Sequence, residues 1–210
     1  MSVGRIIETD ACVAEGVEWL RRADPRFAPA LDACCPLPLR RKPDGFDQLL
    51  SAIVSQQVSV ASAAAIWGRL QAAGMVTPEA IRATDEEGLR ALGLSRQKAG
   101  YACALAEAGI DFDALRDTPT DAVIATLTAV KGIGVWTAEI YAMFSLGRAD
   151  VFAHGDLALQ EAARVLLDLP ERPREKQMRQ IAEDWSPWRS VAARALWAYY
   201  RVAKDREGIR

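Results

Sequence analysis

Helix-start signals recur along this chain while strand signals are nearly absent, and this pattern constrains the fold more than any other feature. Ser59, Thr77 and Ser95 each precede an apolar stretch with helical periodicity, and Pro78 stands at the first helical position after Thr77. No run of alternating β-branched residues is bounded by an Asn-Gly or Asp-Gly turn. The sequence therefore predicts an all-α fold of roughly ten short helices.

Composition and cysteine usage narrow the class of protein. Half of the 210 residues are hydrophobic, but no apolar run reaches the roughly 20 residues that a membrane span needs, so we expect no membrane partner. The N-terminus lacks the apolar core of a signal peptide. The adjacent Cys34 and Cys35 do not suit a disulfide framework, so we expect a cytoplasmic protein. With one histidine and no cysteine cluster, we expect no zinc or iron–sulfur site.

The net charge of −2 means that any binding to nucleic acid must depend on a local basic face. For each basic cluster of the chain, solvated surface charge is the simpler explanation. The clusters that could form such a face are Arg40-Arg41-Lys42, Arg96 with Lys98, Lys131, and Arg189 with Arg194.

A glycine turn separates two apolar, helix-like segments in the middle of the chain. Gly132 and Gly134 flank Ile133, and glycine permits positive φ angles and the close approach of another chain. Main-chain amides at the start of the following helix attract an anion. The turn is therefore predicted to hold a nucleic-acid phosphate, and its carbonyl groups could also hold a monovalent cation. An ordinary helix–loop–helix connection is the alternative.

Several segments together resemble one known family. Residues Leu127–Ala138 resemble the helix-hairpin-helix of the base-excision (HhH-GPD) DNA glycosylase superfamily. Residues Val151–Leu157 resemble its Gly/Pro-rich loop with a catalytic aspartate, and Ala52–Ala61 is similar to the segment that probes the duplex. Residues Trp185–Ser190, followed by Trp197, resemble the C-terminal segment of the 3-methyladenine DNA glycosylase II branch.

The resemblance implies a two-lobed helical bundle. A central helical barrel, residues 45–148, would carry the helix-hairpin-helix. Residues 1–44 together with 149–210 would form a second helical lobe that carries the aspartate loop. The active site is expected in the cleft between the lobes.

The resemblance assigns the catalytic role to Asp156, whose carboxylate would stabilise the positive sugar that forms as an N-glycosidic bond breaks. It could also orient or deprotonate the attacking water. Aspartate is equally a favoured N-cap, and a helix is predicted from about Leu157; the two roles are compatible. Bifunctional relatives place a lysine where this chain has Trp136, so a monofunctional enzyme is expected.

Recognition of the flipped base and of the duplex is expected from further matching residues. Trp136 and Trp197 would stack on a cationic alkylated purine. Ile140 and Leu157 stand where some relatives have tyrosine, which leaves the lesion range open. The residues expected to fill the gap in the duplex are Gln57 or its neighbour Gln56, with two polar residues at a helix end as the alternative. The residues expected to bind the DNA backbone are Lys131, Gly132, Ile133, Gly134 and Thr137.

The expected activity is hydrolytic excision of alkylated purines, 3-methyladenine foremost, from double-stranded DNA. The protein would act as a monomer at the bacterial nucleoid, with no cofactor except a possible monovalent cation at the hairpin. His154, two residues before the acid, could contact a phosphate, tune the acid or be incidental. One alternative is a non-catalytic helix-hairpin-helix module in a repair assembly. Another is a small helical interaction domain unrelated to DNA, whose binding would not depend on salt.

Overall fold

The computed structural model describes residues 3–206, with side chains described as far as residue 203. Within that range the protein is all-α: the only β pairing is an isolated antiparallel bridge between Ile6 and Arg148. None of the helices described combines the length and apolar composition that a membrane crossing would require. The α-helices are α1 (Asp10–Ala23), α2 (Ala28–Cys34), α3 (Phe46–Ser55), α4 (Val60–Ala72), α5 (Pro78–Arg82), α6 (Glu86–Ala91), α7 (Arg96–Glu107), α8 (Phe112–Asp117), α9 (Thr120–Thr128), α10 (Val135–Phe144), α11 (Leu157–Leu166), α12 (Glu175–Ile181) and α13 (Arg189–Arg206).

The predicted helix starts are confirmed. The side chains of Ser59, Thr77 and Ser95 are N-caps of α4, α5 and α7, and each accepts a hydrogen bond from an amide three residues ahead. The described chain has thirteen α-helices and two short 3₁₀ helices, Pro25–Phe27 and Ala182–Trp185, rather than about ten helices. Helices of five to seven residues, such as α6, are too short to show a helical period in the sequence.

The chain forms two compact units. One comprises the described residues of Met1–Arg41 and Ala142–Arg210, here the discontinuous unit; the other, Lys42–Tyr141, is here the continuous unit. The boundaries between the units lie after residues 41 and 141, and the second lies inside α10. The boundaries expected from the sequence, 44/45 and 148/149, are close to these positions.

The discontinuous unit is built around α13, which packs against α1, α2 and α11. Glycine at position 16 allows the contact with α1, because a Cβ there would lie 2.5 Å from Val191 and 2.7 Å from Trp188. The fully buried Trp185 packs edge-on against Phe27, and its indole N–H donates to Asp24. Trp185 also packs against Phe152, with ring centroids 5.5 Å apart, so this core supports the segment that leads to Asp156.

The continuous unit is organised around α7, which packs against α3, α5 and α6. Its core is aliphatic, with Leu49, Ile53 and Leu70 among the fully buried side chains. Tyr141, at the end of this unit, accepts a hydrogen bond from the Gly45 amide, and burial raises the pKa of its hydroxyl to about 12. The helix that organises this unit also supports the glycine turn between α9 and α10.

Close packing at Gly16 yields a stability prediction. Gly16→Ala should lower the free energy of unfolding by roughly 1–3 kcal/mol, because the methyl group overpacks the contact with Val191 and Trp188. Gly68→Ala is the matched control in α4, where a Cβ meets nothing within 4 Å. It should stabilise by roughly 0.4–1 kcal/mol. Urea denaturation of both variants measures this, and equal stabilisation by both would contradict the packing.

Candidate functional site

The glycine turn is fixed on its interior side by aromatic and aliphatic packing. Gly132 has φ +96°, and a Cβ at this position would lie 2.3 Å from the Tyr101 ring of α7, so only glycine fits. Ile133 is 4 % exposed, and its amide donates to the Val130 carbonyl. The turn is therefore a rigid feature of the continuous unit.

The outer side of the turn has no such constraint. Gly134 is exposed, its φ is not positive, and a Cβ there would meet nothing within 4 Å. Lys131 is exposed beside it, whereas the Thr137 side chain is buried. If Thr137 binds a DNA backbone as predicted, its main chain would have to do so. Nothing in the fold itself requires glycine at position 134.

The two glutamines after α3 have different environments. The Gln56 amide group donates to the Gly132 carbonyl at 3.0 Å and thereby ties this segment to the glycine turn. Gln57 is exposed and has φ +54°, an uncommon conformation for a residue with a side chain. The ammonium group of Lys98 caps the end of α3 by donating to the Val54 carbonyl at 2.7 Å. The structure thus joins two segments that the sequence analysis had singled out separately.

Asp156 is the N-cap of α11, as the alternative interpretation predicted. One carboxylate oxygen accepts hydrogen bonds from the amides of Ala158 at 2.9 Å and Leu159 at 3.0 Å. Its side chain is half-buried at the start of a ten-residue helix, where the helix dipole favours a negative charge. Capping fixes the carboxylate in place and is compatible with a second role for it.

The segment before Asp156 is a buried platform. Residues 151–154 are all buried, and the Gln160 side chain donates to the His154 carbonyl at 2.8 Å. The His154 ring is 3 % exposed and packs near Phe152 with ring centroids 5.3 Å apart. Burial at this depth argues against contact of the ring with a phosphate at the surface.

The two tryptophans predicted to stack on a base lie in different units. Trp136 is in the first turn of α10 and is 47 % exposed. Trp197 is half-buried on α13 and lies against Phe144, with ring centroids 5.8 Å apart and planes inclined by 32°. About half of the Trp136 surface is therefore exposed in the continuous unit, and Phe144 supports Trp197 within the discontinuous unit.

Half of the eight residues in the predicted basic clusters have structural roles. Arg194 is 1 % exposed and donates to the carbonyls of Leu39 and Ser190, and burial, with the nearby Arg40 and Arg41, lowers its pKa to about 10. Lys98 is buried as the cap of α3. For these two residues both interpretations, a basic face and solvated surface charge, are wrong. Carbonyl groups in the interior need donors, and the sequence pattern does not distinguish such donors from surface charges.

Two further arginines of those clusters also have partners within the protein. Arg189 forms an ion pair with Asp150, with its Nε 2.5 Å from the carboxylate. Arg41 donates to the carbonyls of Phe144 and Ser145. The exposed cationic side chains that remain from these clusters include Lys131, next to the glycine turn, and Arg96, at the start of α7.

Among residues 3–203, no group of three or more His, Cys, Asp or Glu side chains is arranged to hold a metal ion. The four cysteines, Cys12, Cys34, Cys35 and Cys103, are all free thiols.

Comparison with known proteins decides the family. Residues 50–187, about two-thirds of the chain, match the model of the HhH-GPD superfamily of base excision DNA repair proteins. The chain belongs to this superfamily. The match includes the glutamine pair, the glycine turn and Asp156, so the turn is the hairpin of the superfamily's helix-hairpin-helix.

Individual relatives are similar over most of their length. DNA-3-methyladenine glycosylase 1 of Schizosaccharomyces pombe is 34 % identical over 180 residues, which cover 80 % of this chain and 78 % of the relative. The crystal structure of a DNA-3-methyladenine glycosidase from Bacillus halodurans has a TM-score of 0.81 at 35 % identity, covering 90 % of this chain and 91 % of that one. The 3-methyladenine DNA glycosylase of S. pombe in complex with abasic DNA has a TM-score of 0.69 at 30 % identity, covering 88 % and 94 %.

In this HhH-GPD protein, the exposed large apolar side chains lie in the segments that contain the predicted site residues. Large hydrophobic side chains are mostly buried in the described chain, and the exposed ones follow the glutamine pair, begin α10 or follow Asp156. They are Val58, Val60, Val135, Trp136 and Leu157. Exposed apolar groups gathered in functional segments are typical of interaction surfaces. The exposure of the three valines could not be predicted from the sequence, because no local pattern distinguishes an exposed valine from a buried one.

The two hairpin glycines are predicted to differ in function. Gly134→Ala should leave the melting temperature unchanged but weaken binding to duplex DNA roughly tenfold, because a methyl group would obstruct the close approach of a phosphate. Gly132→Ala should instead lower the melting temperature, because its Cβ would collide with Tyr101. Thermal unfolding and fluorescence anisotropy at one salt concentration separate these effects. Unchanged DNA affinity in Gly134→Ala would show that the hairpin does not approach DNA at this residue.

Proposed function

We propose that this protein is a monofunctional DNA glycosylase that removes alkylated purines of the 3-methyladenine type from double-stranded DNA by hydrolysis of the N-glycosidic bond. The observation that carries the proposal is the fixed carboxylate of Asp156, inside the region that matches a base-excision repair family. Relatives similar over most of their length are named as 3-methyladenine glycosylases, and one structural neighbour holds abasic DNA.

In the proposed reaction, Asp156 stabilises the transition state electrostatically. As the bond from C1′ to the purine breaks, positive charge develops on the sugar, and an adjacent carboxylate lowers the energy of that charge. Two unit charges 4 Å apart attract by about 4 kcal/mol at the effective dielectric typical near a protein surface. The amides of Ala158 and Leu159 hold the carboxylate in place, so little reorganisation is needed during the reaction.

Water is the proposed nucleophile. A bifunctional mechanism needs an amine to attack C1′, and this chain has Trp136 where bifunctional relatives have lysine. Lys131 lies on the other side of the hairpin and is proposed to contact the DNA backbone instead. The products would be the free alkylated base and an abasic site in an intact strand.

Binding of the substrate is assigned to the hairpin, the Gln57 turn and the two tryptophans. The amides around Gly134 would hold a phosphate, and Gln57 would fill the gap left by the flipped nucleotide. Stacking of the cationic base on Trp136 and Trp197 would contribute roughly 1–3 kcal/mol per contact. A monovalent cation at the hairpin belongs to the proposal, because the Val130 and Gly132 carbonyls each accept one hydrogen bond and keep a second lone pair.

Substitution of Asp156 separates its capping role from catalysis. Asp156→Asn should keep the fold, since asparagine caps helices as well as aspartate does. Release of methylated base from alkylated duplex DNA should fall roughly 10²- to 10³-fold, because the amide carries no charge. Chromatography of the released base under single-turnover conditions gives the rate.

The matched control is Asp111→Asn, which changes another capping aspartate: the Asp111 carboxylate accepts from the Ala114 amide at the start of α8. This variant should excise at the wild-type rate. Equal activity of wild type and Asp156→Asn would contradict the catalytic role. Salt-dependent DNA binding with no excision of any lesion would favour the non-catalytic helix-hairpin-helix module.

The water mechanism makes a separate prediction. Purified protein should leave abasic DNA unbroken and should form no covalent adduct when borohydride is added during the reaction, because no lysine occupies position 136. Denaturing gel electrophoresis detects both the nicked strand and the trapped protein–DNA species. Efficient trapping would overturn the assignment of water as the nucleophile.

A further inference from the structure

The turn that carries Gln57 lacks support on one side. Between the end of α3 at Ser55 and the start of α4 at Val60, the chain borders a cavity of about 450 Å³. Gln57, Val58, Ile66 and Tyr101 are among the residues that line it. Apolar packing therefore does not fix the position of this turn on the cavity side, and directional polar contacts must contribute to its position.

Two hydrogen bonds from side chains to distant carbonyl groups help to hold the turn. Lys98 donates to the Val54 carbonyl in the last turn of α3 at 2.7 Å, and the Lys98 side chain is buried, which lowers its pKa. Gln56, immediately before Gln57, donates to the Gly132 carbonyl at 3.0 Å. The first bond fixes the end of α3, and the second fixes the turn to the hairpin.

The hairpin end of this connection is itself rigid. Gly132 lies against the Tyr101 ring, and the Tyr101 hydroxyl is bonded to the Gln97 side chain at 2.6 Å. Because Lys98 lies in the same helix, α7 supports both the turn before α4 and the hairpin. Gln56 is the side chain that bridges the two directly.

We propose that Gln56 is a positioning residue that ties the Gln57 turn to the hairpin. When the hairpin holds the DNA backbone, Gln57 is then already at a fixed position from which it inserts into the duplex. Gln56 does not itself enter the duplex, because its amide group is committed to the Gly132 carbonyl. Gln57, exposed with its strained φ of +54°, is the inserting residue. This inference rests on the proposed glycosylase function and adds a role within it.

The test is a double-mutant cycle on excision of an alkylated purine. Gln56→Met keeps the length and volume of the side chain but cannot donate to Gly132, and Gln57→Ala removes the inserting group. On a fully paired duplex, each single variant should reduce the single-turnover rate roughly five- to tenfold, as expected for the loss of one hydrogen bond or contact. The double variant should be no slower than Gln57→Ala alone, because Gln56 acts through Gln57.

A second substrate distinguishes positioning from general damage to the protein. When the lesion stands opposite an abasic site, no base pair has to be broken and no partner base is left unpaired, so the inserted side chain matters less and both single variants should approach the wild-type rate. Gln71→Met, at an exposed glutamine of α4, is the matched control and should match wild type on both substrates. Melting temperatures are measured in parallel.

The possible outcomes distinguish a failure of the Gln56 role from a failure of the glycosylase proposal. Failure of wild type to release base from either substrate would refute the glycosylase proposal itself. Additive losses in the double variant, or equal losses on both substrates, would overturn the role of Gln56 while leaving the glycosylase proposal intact. A Gln56→Met protein that does not fold would also overturn it, because the hydrogen bond would then serve stability rather than positioning.

Discussion

The hydrogen bonds from two main-chain amides to Asp156 are the interaction on which the functional account depends. They hold one carboxylate at the start of α11, and the buried residues 151–154 keep the preceding chain from moving. A charge that is fixed before the reaction stabilises a developing positive charge more than a charge that must first be oriented. The same contacts that cap the helix would thus prepare the acid for the proposed catalysis, so the structural role of Asp156 is compatible with the chemical one.

In the proposed function, the continuous unit holds the DNA backbone without recognising the base sequence. Its hairpin presents main-chain groups, since Gly132 and Ile133 are fixed from inside while Gly134 stays open. The Gln56 bond links this hairpin to the turn that carries Gln57. On this proposal, a chain with a net charge of −2 binds DNA through the local geometry of the hairpin and nearby cations such as Lys131.

Local signals predicted the fold class well, whereas contacts between distant parts of the chain could not be predicted. The caps at Ser59, Thr77 and Ser95 were confirmed because a cap depends on residues three or four positions away. The choice between Gln56 and Gln57 stayed open in the sequence, because the contact that distinguishes them joins residues 76 positions apart. Lys98 and Arg194 were taken for surface charges for the same reason: their carbonyl partners are set by tertiary packing.

The proposed stabilisation of a cationic sugar by the negative charge of Asp156 can be measured through the binding of a charged sugar mimic. Duplexes that carry either a protonated pyrrolidine or a neutral tetrahydrofuran at one nucleotide are compared at the same salt concentration. The account predicts that wild type binds the pyrrolidine duplex at least about tenfold more tightly, and that Asp156→Asn loses this preference. Equal affinity of wild type for the two duplexes would contradict the account.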